Sequence, residues 1–79
     1  MSRTFRFDDG QAWHVQLTGL TYRAQEIVSV HVSFWSDVSP DQRVARRVQS
    51  RGLALTDTEL SHALRHALQL LAHGVEVDA

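Results

Sequence analysis

A strongly amphipathic helix is encoded in the last third of the chain, over residues 55–74. Thr56 and Glu59 have the spacing of a capping box, and Leu55 and Leu60 have that of a hydrophobic staple. Gly74 is the residue type that commonly ends a helix. The apolar residues that follow the cap recur at helical spacing and predict one buried face: Leu60, Ala63, Leu64, Ala67, Leu68, Leu70 and Leu71.

The N-terminal residues predict a β-hairpin. An alternating strand over residues 4–7 is followed by Asp-Asp-Gly at residues 8–10, a typical turn sequence. Trp13 begins a second row of alternating apolar residues, which ends at Gly19. Residues 20–25 are expected to form a longer connection or a bulge that extends the strand. Four aromatic residues are expected in the core: Phe5, Phe7, Trp13 and Phe34.

The third strand, residues 28–35, has strict alternation. Val28, Val30, Val32 and Phe34 are expected to face the core. The intervening residues, which end with Trp35, are then expected to face solvent at least in part. This pattern is typical of an antiparallel sheet with one packed face.

Residues 40–51 allow two interpretations. Pro40 and Gln42 resemble a helix start and Gly52 a helix end, which would add a second helix. The same residues are also compatible with a hairpin loop that leads into a fourth strand over residues 43–50. The strand is favoured, because it continues the meander and widens the surface on which the C-terminal helix packs.

The predicted fold is a two-layer α+β domain over residues 1–79. An antiparallel meander of three or four strands carries the C-terminal helix across its apolar face. The chain has no cysteine, which excludes disulfides and thiolate metal sites. The sequence shows no signal peptide and no membrane span, so a cytoplasmic location without membrane contact is expected.

Glu59, His62 and His66 share one side of the predicted helix and could supply part of a divalent metal site. A single helix cannot complete such a site, because zinc needs three or four ligands. Pairing of two copies would be the route to a complete site. The favoured interpretation is a solvated helix face, with no metal and no cofactor.

Four arginines without an intervening acid follow the third strand: Arg43, Arg46, Arg47 and Arg51. Clustered arginines can neutralise phosphates, which makes nucleic acid one candidate ligand. The formal net charge of the chain is −1, however, and no nucleic-acid-binding motif is present. A solvated surface is the alternative interpretation.

Trp35 is out of phase with the buried row and shares its side with His31 and His14. A large aromatic residue on a polar face is typical of partner interfaces. The alternative is that Trp35 packs under a loop or against the arginine segment.

The chain resembles a group of small uncharacterised bacterial proteins. The shared features are residues 7–10 with Trp13 and Val15, the aromatic strand end at 34–35, the arginine pair at 46–47 and the helix start at 55–60. The spacing of the acids from Gly10 and the loop before the arginines differ from that group. The resemblance implies no function or site, and it favours a fourth strand.

The functional hypothesis is a small non-catalytic module that binds a protein partner or a second copy of itself. No nucleophile elbow, phosphate-binding glycine loop or catalytic cysteine supports an enzyme. The alternative is a nucleic-acid-associated regulator that uses the arginine segment.

Overall fold

The computed structural model describes residues 2–74, in which four strands are followed by one helix. The strands are Ser2–Arg6 (β1), Ala12–Arg23 (β2), Glu26–Ser36 (β3) and Val44–Gln49 (β4), and the helix is Asp57–Ala72 (α1). The sheet order is β1-β2-β3-β4 with every neighbouring pair antiparallel. The predicted α+β meander with a C-terminal helix is confirmed, and residues 40–51 contribute a strand. The predicted domain also includes Met1 and residues 75–79, which lie outside the described residues.

The β1–β2 turn forms as the Asp-Asp-Gly sequence predicts. The Phe7 N–H donates to the Gln11 carbonyl at 3.0 Å, and the Gly10 N–H donates to the Phe7 carbonyl at 3.0 Å. Gly10 has a φ of +79°, a left-handed conformation that glycine adopts without steric cost.

A bulge extends β2 beyond Gly19, as one of the two interpretations of this segment predicted. Leu17 pairs with Val32, whereas Gly19 pairs with His31, so Thr18 is an extra residue in the ladder. Because the bulge shifts the alternation by one position, Leu20 packs on the core side like Leu17.

A second register shift corrects the predicted core row of β3. Thr21 pairs with Ser29 and Tyr22 pairs with Ile27, which leaves Val28 as the extra residue. Val28 is 38% exposed, and Ile27 packs against the core in its place. The assignment of Val28 to the core was therefore wrong, because a bulge breaks the two-residue period.

The core lies between α1 and one face of the sheet. Leu60, Ala63, Leu64 and Ala67 are buried on the helix side. The sheet contributes Phe5, Val15, Val30, Val32, Phe34 and Val44. The rings of Phe5 and Phe34 meet edge to face, with centroids 5.8 Å apart.

Several predicted core residues are only partly buried or exposed. Phe7 and Trp13 contact each other edge to face at the margin of the core, where both are half-buried. Leu68 and Leu70 are also half-buried. Leu71 is 45% exposed, so its assignment to the core was wrong. Ala72 in the last turn of α1 lies near the β1–β2 turn, and the Leu71 side chain is at the surface.

The start of α1 is fixed by the predicted capping box. The Glu59 N–H donates to Thr56 Oγ1, and the Thr56 N–H donates to Glu59 Oε1, both at 3.1 Å. The staple residues Leu55 and Leu60 are both buried. Arg3 from β1 donates to the Leu55 carbonyl at 2.8 Å and pairs with Asp57. These contacts join the helix start to an edge strand.

The helix contacts both edge strands, β1 and β4. On the β1 side Arg65 donates to both carboxylate oxygens of Asp8, at 2.6 and 3.1 Å. These hydrogen bonds hold the pKa of Asp8 below its ordinary value of 3.8 and raise the pKa of Arg65. No helix among residues 2–74 has the length and apolar character that crossing a membrane requires.

Candidate functional site

One face of the sheet packs under α1, and the opposite face carries no helix or strand of residues 2–74. Because side chains alternate along a strand, the residues between the core positions point to this second face, which we call the open face. Its central residues are Thr4, His14, Gln16, Thr21, Ser29, His31, Ser33, Trp35, Ala45, Arg47 and Gln49, with Arg43 just before β4. The three residues that the sequence predicted for a partner interface lie together here, on neighbouring strands.

Trp35 lies at the centre of a row of three side chains, which we call the Trp35 row. His14 is directly opposite Trp35 on β2, and the two rings stack with centroids 5.2 Å apart and planes 16° apart. The guanidinium carbon of Arg43 lies 3.8 Å from the centroid of the Trp35 ring. Since β2 and β4 flank β3 on opposite sides, His14 and Arg43 cover opposite faces of the indole. Trp35 therefore packs against the arginine segment, as the alternative interpretation predicted, and it does so while lying on the open face.

The Trp35 row is anchored at its β2 end. His14 Nε2 donates to Asp37 Oδ1 at 2.8 Å. The side chain of Asp37 is 81% exposed and that of His14 is 26% exposed. The imidazole is therefore held on one side by a carboxylate and on the other by the indole. The row presents an ordered set of rings at the surface.

His31 lies four residues before Trp35, on the same side of β3. Its Nε2 is 2.9 Å from Thr21 Oγ1, which is hydrogen-bond distance. Arg47 is directly opposite His31 on β4. Ser33 and Ala45 pair between this position and the Trp35 row. The open face thus has two positions with bulky, cationic or ring-bearing side chains, separated by small residues.

The arginine segment does not form one surface. Arg43 stacks on Trp35. Arg47 and Arg46 occupy positions on opposite sides of β4, but both border a groove between β4 and α1. Arg46 Nη2 donates to His66 Nδ1 at 2.6 Å. Arg51 is exposed in the loop after β4. Nucleic-acid binding by this segment stays a prediction.

The three residues that the sequence offered as metal ligands line this groove between β4 and α1. Glu59, His62 and His66 border it together with Arg46. Glu59 is engaged in the capping box, and His66 accepts a hydrogen bond from a cation. No group of three histidine, cysteine, aspartate or glutamate side chains among residues 2–74 is close enough to hold a metal ion.

Charge is segregated between the sheet and its connections. The strands contain five arginines and a single acid, Glu26 at the first position of β3. The other described acids lie in turns, loops and the first turn of α1: Asp8, Asp9, Asp37, Asp41, Asp57 and Glu59. Among the described residues the strands therefore contain more arginines than acids, although Arg3 is paired with Asp57 at the start of α1.

Two residues that hydrogen-bond to side chains of the open face were missed by sequence reasoning. Asp37 and Thr21 are the hydrogen-bond partners of His14 and His31, and both are distant from them in sequence. Only the register of β2 against β3 brings these pairs together. The chain matches no protein-family model, and comparisons with curated proteins and with solved structures give no match either.

Proposed function

We propose that this protein is a small non-catalytic protein-interaction module, and that the open face of its sheet binds the partner. The observation that supports this is the Trp35 row, an ordered aromatic and cationic group on a sheet face that no element of residues 2–74 covers. A cytoplasmic location and the absence of a cofactor stay predictions from the sequence.

The composition of the Trp35 row suits a binding anchor. Tryptophan and arginine are the residue types that dominate the binding energy of protein interfaces, and they act best near the centre of the buried area. Trp35 lies on β3, one of the two central strands, so a partner that covers the open face would bury it.

The order of the Trp35 row also favours binding. Immobilising a long side chain at an interface costs roughly 0.5–1.5 kcal/mol. His14 and Arg43 already restrain Trp35, and Asp37 restrains His14. Binding of a partner would therefore cost less side-chain entropy, because these side chains are already restrained in the unbound protein.

Site-specific photo-crosslinking in the native cells tests this proposal. A photoreactive phenylalanine analogue replaces Gln16 on the open face or, as a matched control, Gln69 on the exposed side of α1. We expect protein adducts from position 16 and few from position 69. We also expect the adducts at position 16 to disappear when Trp35→Ala is added, provided that circular dichroism shows a folded chain. An absence of adducts at position 16, or equal adducts at both positions, would contradict the proposal.

A further inference from the structure

We infer that the groove between β4 and α1 binds the phosphate group of a small molecule, and that Arg46, His62 and His66 hold that group. The site is on the helix side of the sheet and does not include the open face, so the inference goes beyond the proposed function. It follows from the contact between Arg46 and His66.

Arg46 and His66 form the centre of this site. Arg46 pairs with Val32 in the β3–β4 ladder and lies with it on the helix side of the sheet, where the arginine is half-buried. Its Nη2 is 2.6 Å from Nδ1 of His66 on α1. Because an arginine side chain has only donors, Nδ1 accepts this hydrogen bond and the proton of the neutral ring is on Nε2. The pair therefore supplies a guanidinium and an imidazole N–H to the groove.

His62 adds a second imidazole one helical turn before His66. Residues four apart on a helix are neighbours, with Cβ atoms about 5–6 Å apart. Both histidines are exposed, and both border the groove together with Arg46. Hydrogen-bond donors from a strand and from a helix thus face the same space.

This arrangement disfavours the metal ion that the histidine spacing suggested. A metal ion binds the unprotonated nitrogen of an imidazole, and in His66 that nitrogen accepts the hydrogen bond from Arg46. The guanidinium also places a permanent positive charge beside the ring, which repels a divalent cation. The same two features attract an anion.

The three carboxylates that border the groove are engaged by other groups. Asp8 pairs with an arginine of α1, and Asp57 pairs with an arginine of β1. Glu59 accepts a hydrogen bond in the capping box. The ion pairs among residues 2–74 do not include Arg46, so its charge is available to an external anion.

A phosphate monoester fits these donors better than a carboxylate or a nucleic acid. A terminal phosphate carries about −1.5 to −2 charges at pH 7 and has three strong acceptor oxygens, which point in different directions. It can therefore accept from β4 and from α1 at once, whereas the two oxygens of a carboxylate lie in one plane. A long polyanion that continued past the site would meet the carboxylates at the border of the groove, which repel it.

NMR titration of the isotope-labelled full chain with inorganic phosphate, at constant pH, tests the inference. We expect the ring signals of His62 and His66 to shift and to saturate. The dissociation constant should be about 10 mM or less, as two charge-assisted hydrogen bonds provide. Sodium chloride at the same ionic strength controls for screening and should give no saturable shift. Without phosphate, the ring nitrogen signals of His66 should show the proton on Nε2.

Other ligands identify the source of the phosphate group. Methyl phosphate should bind about as tightly as inorganic phosphate, because it keeps three acceptor oxygens. Acetate and a deoxythymidine oligonucleotide should bind more weakly than methyl phosphate. Zinc ions at a concentration equal to that of the protein should leave the ring signals of His62 and His66 unchanged.

Matched pairs of variants show which side chains hold the phosphate. Arg46→Gln should weaken phosphate binding about tenfold or more, as expected for losing a charge-assisted hydrogen bond. Arg51→Gln makes the same charge change in the exposed loop after β4 and should weaken it about twofold or less. His62→Gln should weaken binding about threefold, and His73→Gln at the end of α1 should not. If Arg46→Gln does not fold, Arg46→Lys keeps the charge without the planar donors and should also weaken binding.

Several results would overturn the inference. They are no saturable shift with phosphate, equal shifts with sodium chloride, equal losses for Arg46→Gln and Arg51→Gln, and a His66 ring with its proton on Nδ1. Tighter binding of acetate or of the oligonucleotide than of methyl phosphate, or zinc binding at His62 and His66, would also contradict it. Because the open face contains none of the proposed phosphate ligands, each of these results leaves the proposed function standing.

Discussion

The guanidinium carbon of Arg43 lies 3.8 Å from the centroid of the Trp35 indole ring. This contact joins the end of the β3–β4 loop to the open face near the end of β3. The indole is also stacked on His14, so three neighbouring segments of the chain meet at one ring. The same contact therefore stabilises the sheet and shapes the surface for which we propose a binding role.

Replacing Arg43 by alanine should lower the free energy of unfolding by about 0.5–1 kcal/mol, because the variant loses an accessible cation–π contact. Urea denaturation followed by tryptophan fluorescence measures this change. Arg51→Ala removes the same charge from the exposed loop after β4 and should change stability by less than about 0.5 kcal/mol. Equal effects of the two substitutions would show that the contact with Trp35 contributes nothing specific.

Replacing Gln25 by glycine should stabilise the protein. Ala24 and Gln25 form the β2–β3 turn with φ values of 51° and 68°, a left-handed conformation that costs a non-glycine residue roughly 1 kcal/mol. We expect Gln25→Gly to raise the free energy of unfolding by about 0.5–1 kcal/mol in urea denaturation. Gln69→Gly, within α1, is the control and should lower stability by a similar amount. A loss of stability with Gln25→Gly would contradict the turn conformation.

The Asp8–Arg65 pair should make stability depend on pH in the acidic range. Arg65 lowers the pKa of Asp8, so the folded state favours the ionised carboxylate. This contribution is present above the ordinary pKa of 3.8 and is lost as the pH falls through the lowered pKa of the folded state. Arg65→Gln should raise the pKa of Asp8 in an NMR titration of its carboxyl carbon, and Arg51→Gln should not. An Asp8 pKa that Arg65→Gln leaves unchanged would contradict the pairing.

Leu64 and Leu71 belong to the same sequence pattern but should respond differently to truncation. Leu64 is 0% exposed in the core, and Leu71 is 45% exposed. Leu64→Ala should cost about 2–5 kcal/mol, a large part of the stability expected for a chain of this size. Leu71→Ala should cost less than about 1 kcal/mol. Similar losses in the free energy of unfolding for the two variants would contradict the exposed position of Leu71 at the end of α1.

Local patterns were sufficient to predict much of the fold. The capping box of Thr56 and Glu59 defined the helix start, since both residues act within one turn. The alternation around Val30, Val32 and Phe34 identified a strand with one buried side, because the two-residue period is a direct consequence of strand geometry.

Features that depend on register or on distant contacts were not predictable in the same way. Val28 becomes exposed because β2 and β3 each contain an irregularity, and a bulge leaves no clear signal in a single sequence. Whether Arg46 and Arg47 share a surface depended on the choice between strand and helix for residues 40–51. The stacking of Arg43 on Trp35 required both the register of β3 and the path of the loop.

The proposed function requires that α1 covers one face of the sheet and that the other face stays accessible. Thiol labelling measures this directly, because the chain contains no cysteine of its own. In single-cysteine variants of the folded protein, Gln16→Cys should react with a maleimide nearly as fast as the unfolded chain, at all protein concentrations. Ala67→Cys, under the helix, should react orders of magnitude more slowly, because it requires an opening of the structure. Slow labelling at position 16, labelling there that slows as protein concentration rises, or fast labelling at position 67 would contradict an accessible open face opposite a covered one.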